Sequence, residues 1–153
     1  MRMLVLLAVL SLPAAGAELR AQLFSVHESS EIEPLVTGDA DYRAAHGHLR
    51  EQRVGETIFW PVVVEGYRTA RGGMNVEAVF RFVSPKGKEL MRGRYKPILR
   101  GDPRLPGTVV LVPVLKLTAE PRDPPGVYKV QVKVRDNLAQ KSVDAEQTIE
   151  LVL

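Results

Sequence analysis

Residues 128–135 alternate without a break between apolar or aromatic residues at even positions and polar residues at odd positions. This period of two is the pattern of a β-strand with one buried and one solvated face, and an amphipathic helix would show a period of 3.6. A second alternating run covers residues 142–153, and Asp136-Asn137 supplies turn-forming residues between the runs. The sequence therefore predicts a C-terminal β-hairpin.

Opposite charges on the two polar faces favour one register for this hairpin. Cross-strand pairs of opposite charge stabilise a sheet by about 0.2–1 kcal/mol each, and a slip by one residue would turn the apolar faces to water. We therefore expect the register that forms three such pairs at once: Arg135 with Asp144, Lys133 with Glu146, and Lys129 with Glu150. In this register the uncharged Gln131 lies opposite Thr148.

Strand patterns recur through the rest of the chain. Turn residues separate them at intervals of about 8–12 residues, as in antiparallel sandwiches. Pro61 cannot donate to a strand ladder, so it indicates an edge or a bulge. With the hairpin, about seven strands are predicted, and a chain of 153 residues fits a single domain. The five other segments are residues 19–26, 58–64, 76–82, 88–95 and 108–117.

The segment 27–53 lacks this alternation and is mostly polar. Residues 42–52 are compatible with a short helix that Gly47 breaks, and residues 32–36 are equally compatible with a short strand. We expect this segment to be irregular or partly helical.

The N-terminus has the three parts of a secretory signal peptide. A charged start, with Arg2, precedes an apolar run at residues 4–12, and Ala15-Gly16-Ala17 is the small-x-small pattern of a cleavage site. The apolar run is shorter than the ~20 residues of a spanning helix. We therefore expect residues 1–17 to be removed, and residues 18–153 to form one exported domain in the periplasm or outside the cell, without an integral membrane segment.

The segment PGVYKVQVKVRD, residues 125–136, resembles the last strands of bacterial secreted Ig-like or fibronectin-III-like modules. The resemblance implies an antiparallel Ig-like β-sandwich. It also implies that Tyr128 is a tyrosine-corner residue whose hydroxyl bonds nearby backbone. Since the chain has no Cys, the disulfide of antibody domains is missing, and the resemblance is to the architecture. Many unrelated functions occur on this fold, so the resemblance implies binding or scaffolding only weakly.

Charge is unevenly distributed along the chain. Residues 18–42 carry six acids and one base, whereas residues 43–104 carry thirteen bases and six acids. A basic segment can bind nucleic acid, but aromatic residues make up only 6% of the chain and do not alternate with Arg. We therefore expect no nucleic-acid partner, and we expect the face between Arg43 and Arg104, with the strand edges, to contact a partner protein.

Candidate ligand-binding residues fall into two groups. His46 and His48 would face one side of a strand and could hold a metal, with His27, Asp39 and Asp41 nearby, although no recognised ligand spacing is present. Among the aromatic residues, Trp60 has the same parity (an even position in the alternating run) as the apolar residues Ile58 and Val62, so it is expected in the core. Tyr67 and Tyr95, near strand ends, are the better candidates for an exposed sugar-binding surface.

Catalytic chemistry has no signature in the sequence. There is no Cys and no G-x-S-x-G motif, and Ser25 with His27 does not form a triad pattern. We assign no catalytic, cofactor or metal-binding residue. The sequence predicts an exported non-enzymatic Ig-like module that binds a partner protein in the periplasm or at the cell surface. The alternative is an accessory ligand-binding domain for carbohydrate or metal.

Overall fold

The computed structural model describes residues 18–70, 73–95, 108–111 and 113–153. The predicted signal peptide, residues 1–17, lies outside the described residues. Across the described part of the chain, every helix is too short or too polar to cross a membrane.

Strands dominate the described residues, and the predicted all-β fold is confirmed. Each of the seven predicted strand segments contains at least one observed strand, and two of them are split in two. Two short helices, α1 (Ile32–Thr37) and α2 (Ala40–His46), follow a 3-10 turn at Ser29–Glu31. The strands are β1 (Arg20–Leu23), β2 (Glu51–Arg53), β3 (Thr57–Trp60), β4 (Val62–Glu65), β5 (Thr69–Ala70), β6 (Gly73–Met74), β7 (Val76–Val83), β8 (Glu89–Tyr95), β9 (Thr108–Val110), β10 (Leu115–Thr118), β11 (Gly126–Asp136) and β12 (Lys141–Val152).

One layer is a five-stranded sheet with the order β2-β12-β11-β7-β8. Its pairs are antiparallel except β2 with β12, which run parallel, with Glu51 opposite Glu150. This one parallel pair adds a short strand, β2, to the predicted antiparallel strands. No hairpin turn connects β2 to β12, so the connection does not impose an antiparallel pairing.

The second layer is built from β1-β4-β9 and β3-β10. Pro61 separates β3 from β4 in the middle of this layer, so it interrupts a central strand, and the edge alternative was wrong. The interruption is tolerated because the Pro61 carbonyl still accepts a hydrogen bond from the Phe24 amide at 2.9 Å. Next to it, Val26 forms a bridge with Phe59 that extends the first strand.

The core lies between the two layers. Trp60 is 1% exposed, as predicted from its parity, and Val132 on β11 is also 1% exposed. Even-numbered residues of β11 therefore point inward and odd-numbered residues outward. The inward side chains from the two layers include Leu23, Ile58, Trp60, Val62, Val64, Ala78, Phe80, Val130, Val132, Val134, Ile149 and Leu151.

The C-terminal hairpin forms with the predicted faces but with a register shifted by two residues. Arg135 lies opposite Ser142, and Lys133 opposite Asp144. The predicted pairs are therefore wrong: Arg135 with Asp144, Lys133 with Glu146, Gln131 with Thr148, and Lys129 with Glu150. In the structure, Gln131 lies opposite Glu146 and Lys129 lies opposite Thr148.

The turn sets this register. The carboxylate of Asp136 accepts hydrogen bonds from the amides of Leu138 and Ala139 at 2.9 and 3.1 Å. Asp136 consequently lies opposite Lys141, which leaves a four-residue turn. Exposed charge pairs are too weak to oppose these hydrogen bonds to the fully buried Asp136 side chain, and a two-residue shift keeps every apolar side chain in the core.

The segment 27–53 contains helices, and the strand alternative for residues 32–36 was wrong. In a helix, residues three and four apart share a face, so Ile32, Leu35 and Val36 pack together against a cluster that includes Phe24 and Val63. A strand would direct Leu35 and Val36 to opposite sides.

Candidate functional site

The basic segment 43–104 does not form a single surface. Arg43 is 9% exposed and lies beside α1 and the second layer. Arg81 on β7 and Arg92 on β8 lie on the face of the five-stranded sheet that points away from the core, here called the outer face. The remaining bases include residues 96, 100 and 104, which lie outside the described residues. The predicted contact surface is thus divided.

Arg43 holds the helical segment to the sandwich. Its Nε donates to the Leu35 carbonyl at 2.7 Å and its Nη2 to the Val36 carbonyl at 3.1 Å, so it satisfies carbonyls near the end of α1. Its Nη1 forms an ion pair of 2.8 Å with Glu65 on β4. Because these contacts occupy the guanidinium, we assign Arg43 a structural role.

The outer face carries one row of polar side chains across four strands. Glu146 on β12 lies opposite Gln131 on β11, Gln131 lies opposite Arg81 on β7, and Arg81 lies opposite Arg92 on β8. The row is acidic at the β12 end and basic at the β8 end. It consists of residues far apart in sequence that the sheet order alone brings together.

A second row lies beside the first. Asp144 on β12 is opposite Lys133 on β11, Lys133 is opposite Val79 on β7, and Val79 is opposite Arg94 on β8. Val79 is a half-buried apolar residue among charges. The second row is therefore also acidic at β12 and basic at β8.

An open groove of about 440 Å³ lies along these two rows. Its acidic lining residues are Asp144 and Glu146, and its basic ones are Arg81, Arg92 and Lys133. Gln131 and Val79 complete the outward-facing lining, and Val132 and Ala145 border the groove while their side chains point toward the core. We call this feature the outer groove, and its two ends differ in the sign of their charge.

Glu89 fixes the basic end of the outer groove. Its carboxylate pairs with Arg81 Nε at 2.7 Å and with Arg92 Nε at 2.9 Å. Hydrogen bonds from Arg92 and then Arg81 lower the pKa of Glu89 from 4.5 to about 2. The carboxylate therefore remains charged at all physiological pH values and holds two directly opposed arginines together.

The acidic end is held more loosely. Lys129 Nζ lies 3.4 Å from Glu146, diagonally across the hairpin, and Lys133 Nζ lies 3.9 Å from Asp144. The side chain of Asp144 is 74% exposed. Exposed ion pairs of this kind contribute about 0–1 kcal/mol, so these side chains can exchange partners at little cost.

The histidines considered as metal ligands have separate surroundings. His46 ends α2, stacks on Tyr42 and donates from Nδ1 to the Tyr42 carbonyl at 3.0 Å. His48 lies in a loop, where its Nδ1 accepts a hydrogen bond from Gln147 Nε2. The expectation that both face one side of a strand was wrong because α2 extends to His46.

The acidic residues near these histidines serve the helix. The Asp39 side chain caps α2 by accepting a hydrogen bond from the Tyr42 amide at 2.8 Å. Within the described ranges, no group of three or more His, Asp or Glu side chains is placed to hold a metal ion, and this includes His27 and Asp41.

The two tyrosines considered for an exposed surface are half-buried. Tyr67 packs against the core, and burial raises its pKa. Tyr95 contacts Phe80 edge to face, with 5.2 Å between ring centroids. The expectation that they form an exposed platform was wrong because each ring covers core residues at a sheet end.

Tyr128 occupies the position that the resemblance implied. Its hydroxyl donates to the Pro124 carbonyl at 2.7 Å, four residues upstream, which confirms the tyrosine-corner contact. The ring is stacked on Phe82 at 5.2 Å between centroids. Burial, followed by the charge of Asp123, raises the pKa of its hydroxyl.

The buried serine next to His27 is part of the scaffold. Ser25 is fully buried, and its hydroxyl accepts a hydrogen bond from the Leu49 amide at 2.8 Å. That contact ties the loop after α2 to the first strand. Ser25 therefore has a structural role that its spacing from His27 did not reveal.

The sequence matches none of the protein-family models and none of the curated proteins with which it was compared. Its fold has distant structural neighbours. An immunoglobulin-like protein from Pseudomonas aeruginosa is 15% identical with a TM-score of 0.41, and the match covers 91% of this chain and 100% of that one.

Two enzymes are also among the structural neighbours. A family 123 glycoside hydrolase from Clostridium perfringens is 11% identical with a TM-score of 0.43, and an alkylpurine DNA glycosylase from Pseudomonas fluorescens is 13% identical with a TM-score of 0.44. The matches cover 88% and 90% of this chain but only 27% and 31% of the enzymes. Since all three TM-scores are below 0.5, we draw no functional conclusion from these neighbours.

Proposed function

We propose that this chain is an exported, non-enzymatic, Ig-like module that binds a partner protein through the outer groove. The observation that supports this proposal is the polarised groove itself: 440 Å³ of open space between an acidic and a basic end. Arranged charges of this kind steer a partner and select its orientation. The Ig-like assignment rests on the sandwich of two layers and on the Tyr128 contact with Pro124.

The groove favours a protein partner over a carbohydrate or a metal. Sugar-binding surfaces use exposed aromatic rings, whereas Tyr67 and Tyr95 pack on the core. His46 and His48 each have a separate partner. The candidate residues therefore give less support to an accessory ligand-binding domain than the groove gives to a protein partner.

Capture of a partner from the host's envelope fraction tests the proposal. The protein carries a C-terminal tag and is compared with Arg92→Glu and Glu146→Lys, which reverse exposed charges at the two ends of the groove. The matched controls are Lys86→Glu, in an exposed turn, and Arg122→Glu, whose side chain is 84% exposed. We expect one partner in stoichiometric amount that both groove variants lose and both controls retain. Equal capture by all variants would contradict the proposal.

Export is tested on the protein that the host itself produces. N-terminal sequencing of the protein purified from the envelope fraction should begin at Glu18, because the small-x-small pattern ends at Ala17. Absence of the protein from the envelope fraction, with protein beginning at Met1 in the cytoplasmic fraction, would contradict export.

A further inference from the structure

We infer that the outer groove binds an extended polypeptide segment of the partner that carries an acidic side chain near one end and a basic side chain near the other. The acidic side chain would lie at Arg81 and Arg92, and the basic one at Asp144 and Glu146. This inference deepens the proposed function and rests on it.

The length of the segment follows from the strand order. The groove extends from β12 over β11 and β7 to β8. Three spacings between neighbouring strands amount to about 14 Å, and an extended chain advances about 3.3 Å per residue. The two charged side chains of the bound segment should therefore be about four residues apart.

The basic end is built to receive a carboxylate. Arg81 and Arg92 are directly opposite each other, and their guanidinium groups share the carboxylate of Glu89. Two guanidiniums with one carboxylate have a net positive charge, and the side chains are 44% and 57% exposed. A carboxylate of the bound segment would accept charge-assisted hydrogen bonds from these two guanidinium groups.

The acidic end is built to receive a cation. Asp144 and Glu146 are on the same face of β12, two residues apart, and their side chains are 74% and 44% exposed. The ion pair between Lys133 and Asp144 is long, at 3.9 Å. A cationic side chain of the segment can replace Lys133 as the ion-pair partner of Asp144, because the existing pair is weak and solvated.

The middle of the groove fits an uncharged residue. Val79 provides apolar surface, and Gln131 lies beside it in the neighbouring row. The Gln131 amide donates to Glu146 at 2.7 Å, which orients that carboxylate. We therefore expect apolar or small side chains between the two charged ends of the segment.

Four synthetic peptides test the inference. Each has the same extended Val/Thr sequence of five residues, with blocked termini, and its first and last residues are Glu and Lys, Glu and Glu, Lys and Lys, or Gln and Gln. Fluorescence anisotropy of labelled peptides measures binding to the full protein. We expect the Glu/Lys peptide to bind about tenfold more tightly than the other three. Equal affinities, or no binding by any peptide, would overturn the inference.

Charge-reversal variants make the test directional. Arg92→Glu should shift the preference toward the Lys/Lys peptide, since both ends of the groove become acidic. Glu146→Lys should shift it toward the Glu/Glu peptide, and the control Lys86→Glu should retain the preference for Glu/Lys. An unchanged preference in both groove variants would overturn the inference.

The inference and the proposed function can fail separately. If Arg92→Glu and Glu146→Lys abolish partner capture while the peptides show no charge preference, the partner uses the groove in another way and only the inference fails. If capture is insensitive to both substitutions, the proposed function fails together with the inference.

Discussion

At the scale of single residues, alternation in the sequence predicts burial well. Trp60 and Tyr128 both lie where their parity places them, because each belongs to a strand with a continuous apolar face. Arg43 could not be recognised in this way. Its ion-pair partner, Glu65, is 22 residues away on another strand, and no local pattern marks a charged residue that becomes buried through such a contact.

Tyr128→Phe tests the tyrosine corner. The substitution removes the hydroxyl that donates to the Pro124 carbonyl at 2.7 Å and keeps the ring on Phe82. We expect the free energy of unfolding to fall by about 1 kcal/mol, the usual net value of one hydrogen bond. Chemical denaturation measures the change. Stability equal to that of the wild type would show that the contact contributes nothing.

Val132→Asp tests the inward face of β11. The residue is 1% exposed, so the substitution places an unpaired carboxylate in the core. We expect a loss of several kcal/mol, enough to unfold a domain of ordinary stability. Lys133→Ala, one position along and outward, should change stability by no more than about 0.5 kcal/mol. If both variants melted with the wild type, the assignment of faces would be wrong.

At the scale of secondary-structure elements, the sequence predicts strand positions and faces but not the hairpin register. The three expected charge pairs are exposed and individually weak, and a shift by two residues preserves the buried face. The decisive residue is Asp136, which is fully buried and accepts hydrogen bonds from three backbone amides. One of these donors, the Arg68 amide at 2.6 Å, lies 68 residues away.

Asp136→Ala should therefore be costly. The backbone amides of Arg68, Leu138 and Ala139 would lose the fully buried carboxylate that accepts their hydrogen bonds. A hydrogen bond to a charged group contributes about 1.5–3 kcal/mol, so we expect a loss of at least that size in urea denaturation. Asp144→Ala removes an acid from the exposed side of the same hairpin and should cost less than about 1 kcal/mol. Equal losses in the two variants would contradict the role of the turn.

Glu89 makes the β7–β8 pair sensitive to acid. Its pKa is lowered from 4.5 to about 2 by Arg92 and Arg81 in the folded protein. A lowered pKa in the folded state means that the stabilisation is complete above 4.5 and is lost as the pH falls toward about 2.

The comparison with Glu89→Gln isolates this contribution. Thermal unfolding of both proteins is measured between pH 5 and pH 2, where other carboxylates titrate equally in each. We expect the wild type to be more stable at pH 5 and the difference to shrink as the pH falls. A difference that is constant with pH would contradict the ion pairs of Glu89.

At the scale of the whole molecule, the outer groove depends on the order of strands in the sheet. The residues at its two ends, Arg81 with Arg92 and Asp144 with Glu146, come from segments more than 50 residues apart. Their alternation predicts that they point outward, but only the pairing of β11 with β7 makes them neighbours. Of the bases in residues 43–104, Arg81 and Arg92 line the outer groove, and the sequence alone does not indicate which bases share a surface.

Carboxyl footprinting of the protein bound to its captured partner tests the central claim most directly. Accessible Asp and Glu side chains are modified with a carbodiimide and an amine, and mass spectrometry quantifies each site. The outer-groove account predicts that Asp144 and Glu146 lose modification in the complex, whereas Glu120 and Asp41, exposed elsewhere, do not. Unchanged modification of Asp144 and Glu146 in a stoichiometric complex would contradict the account.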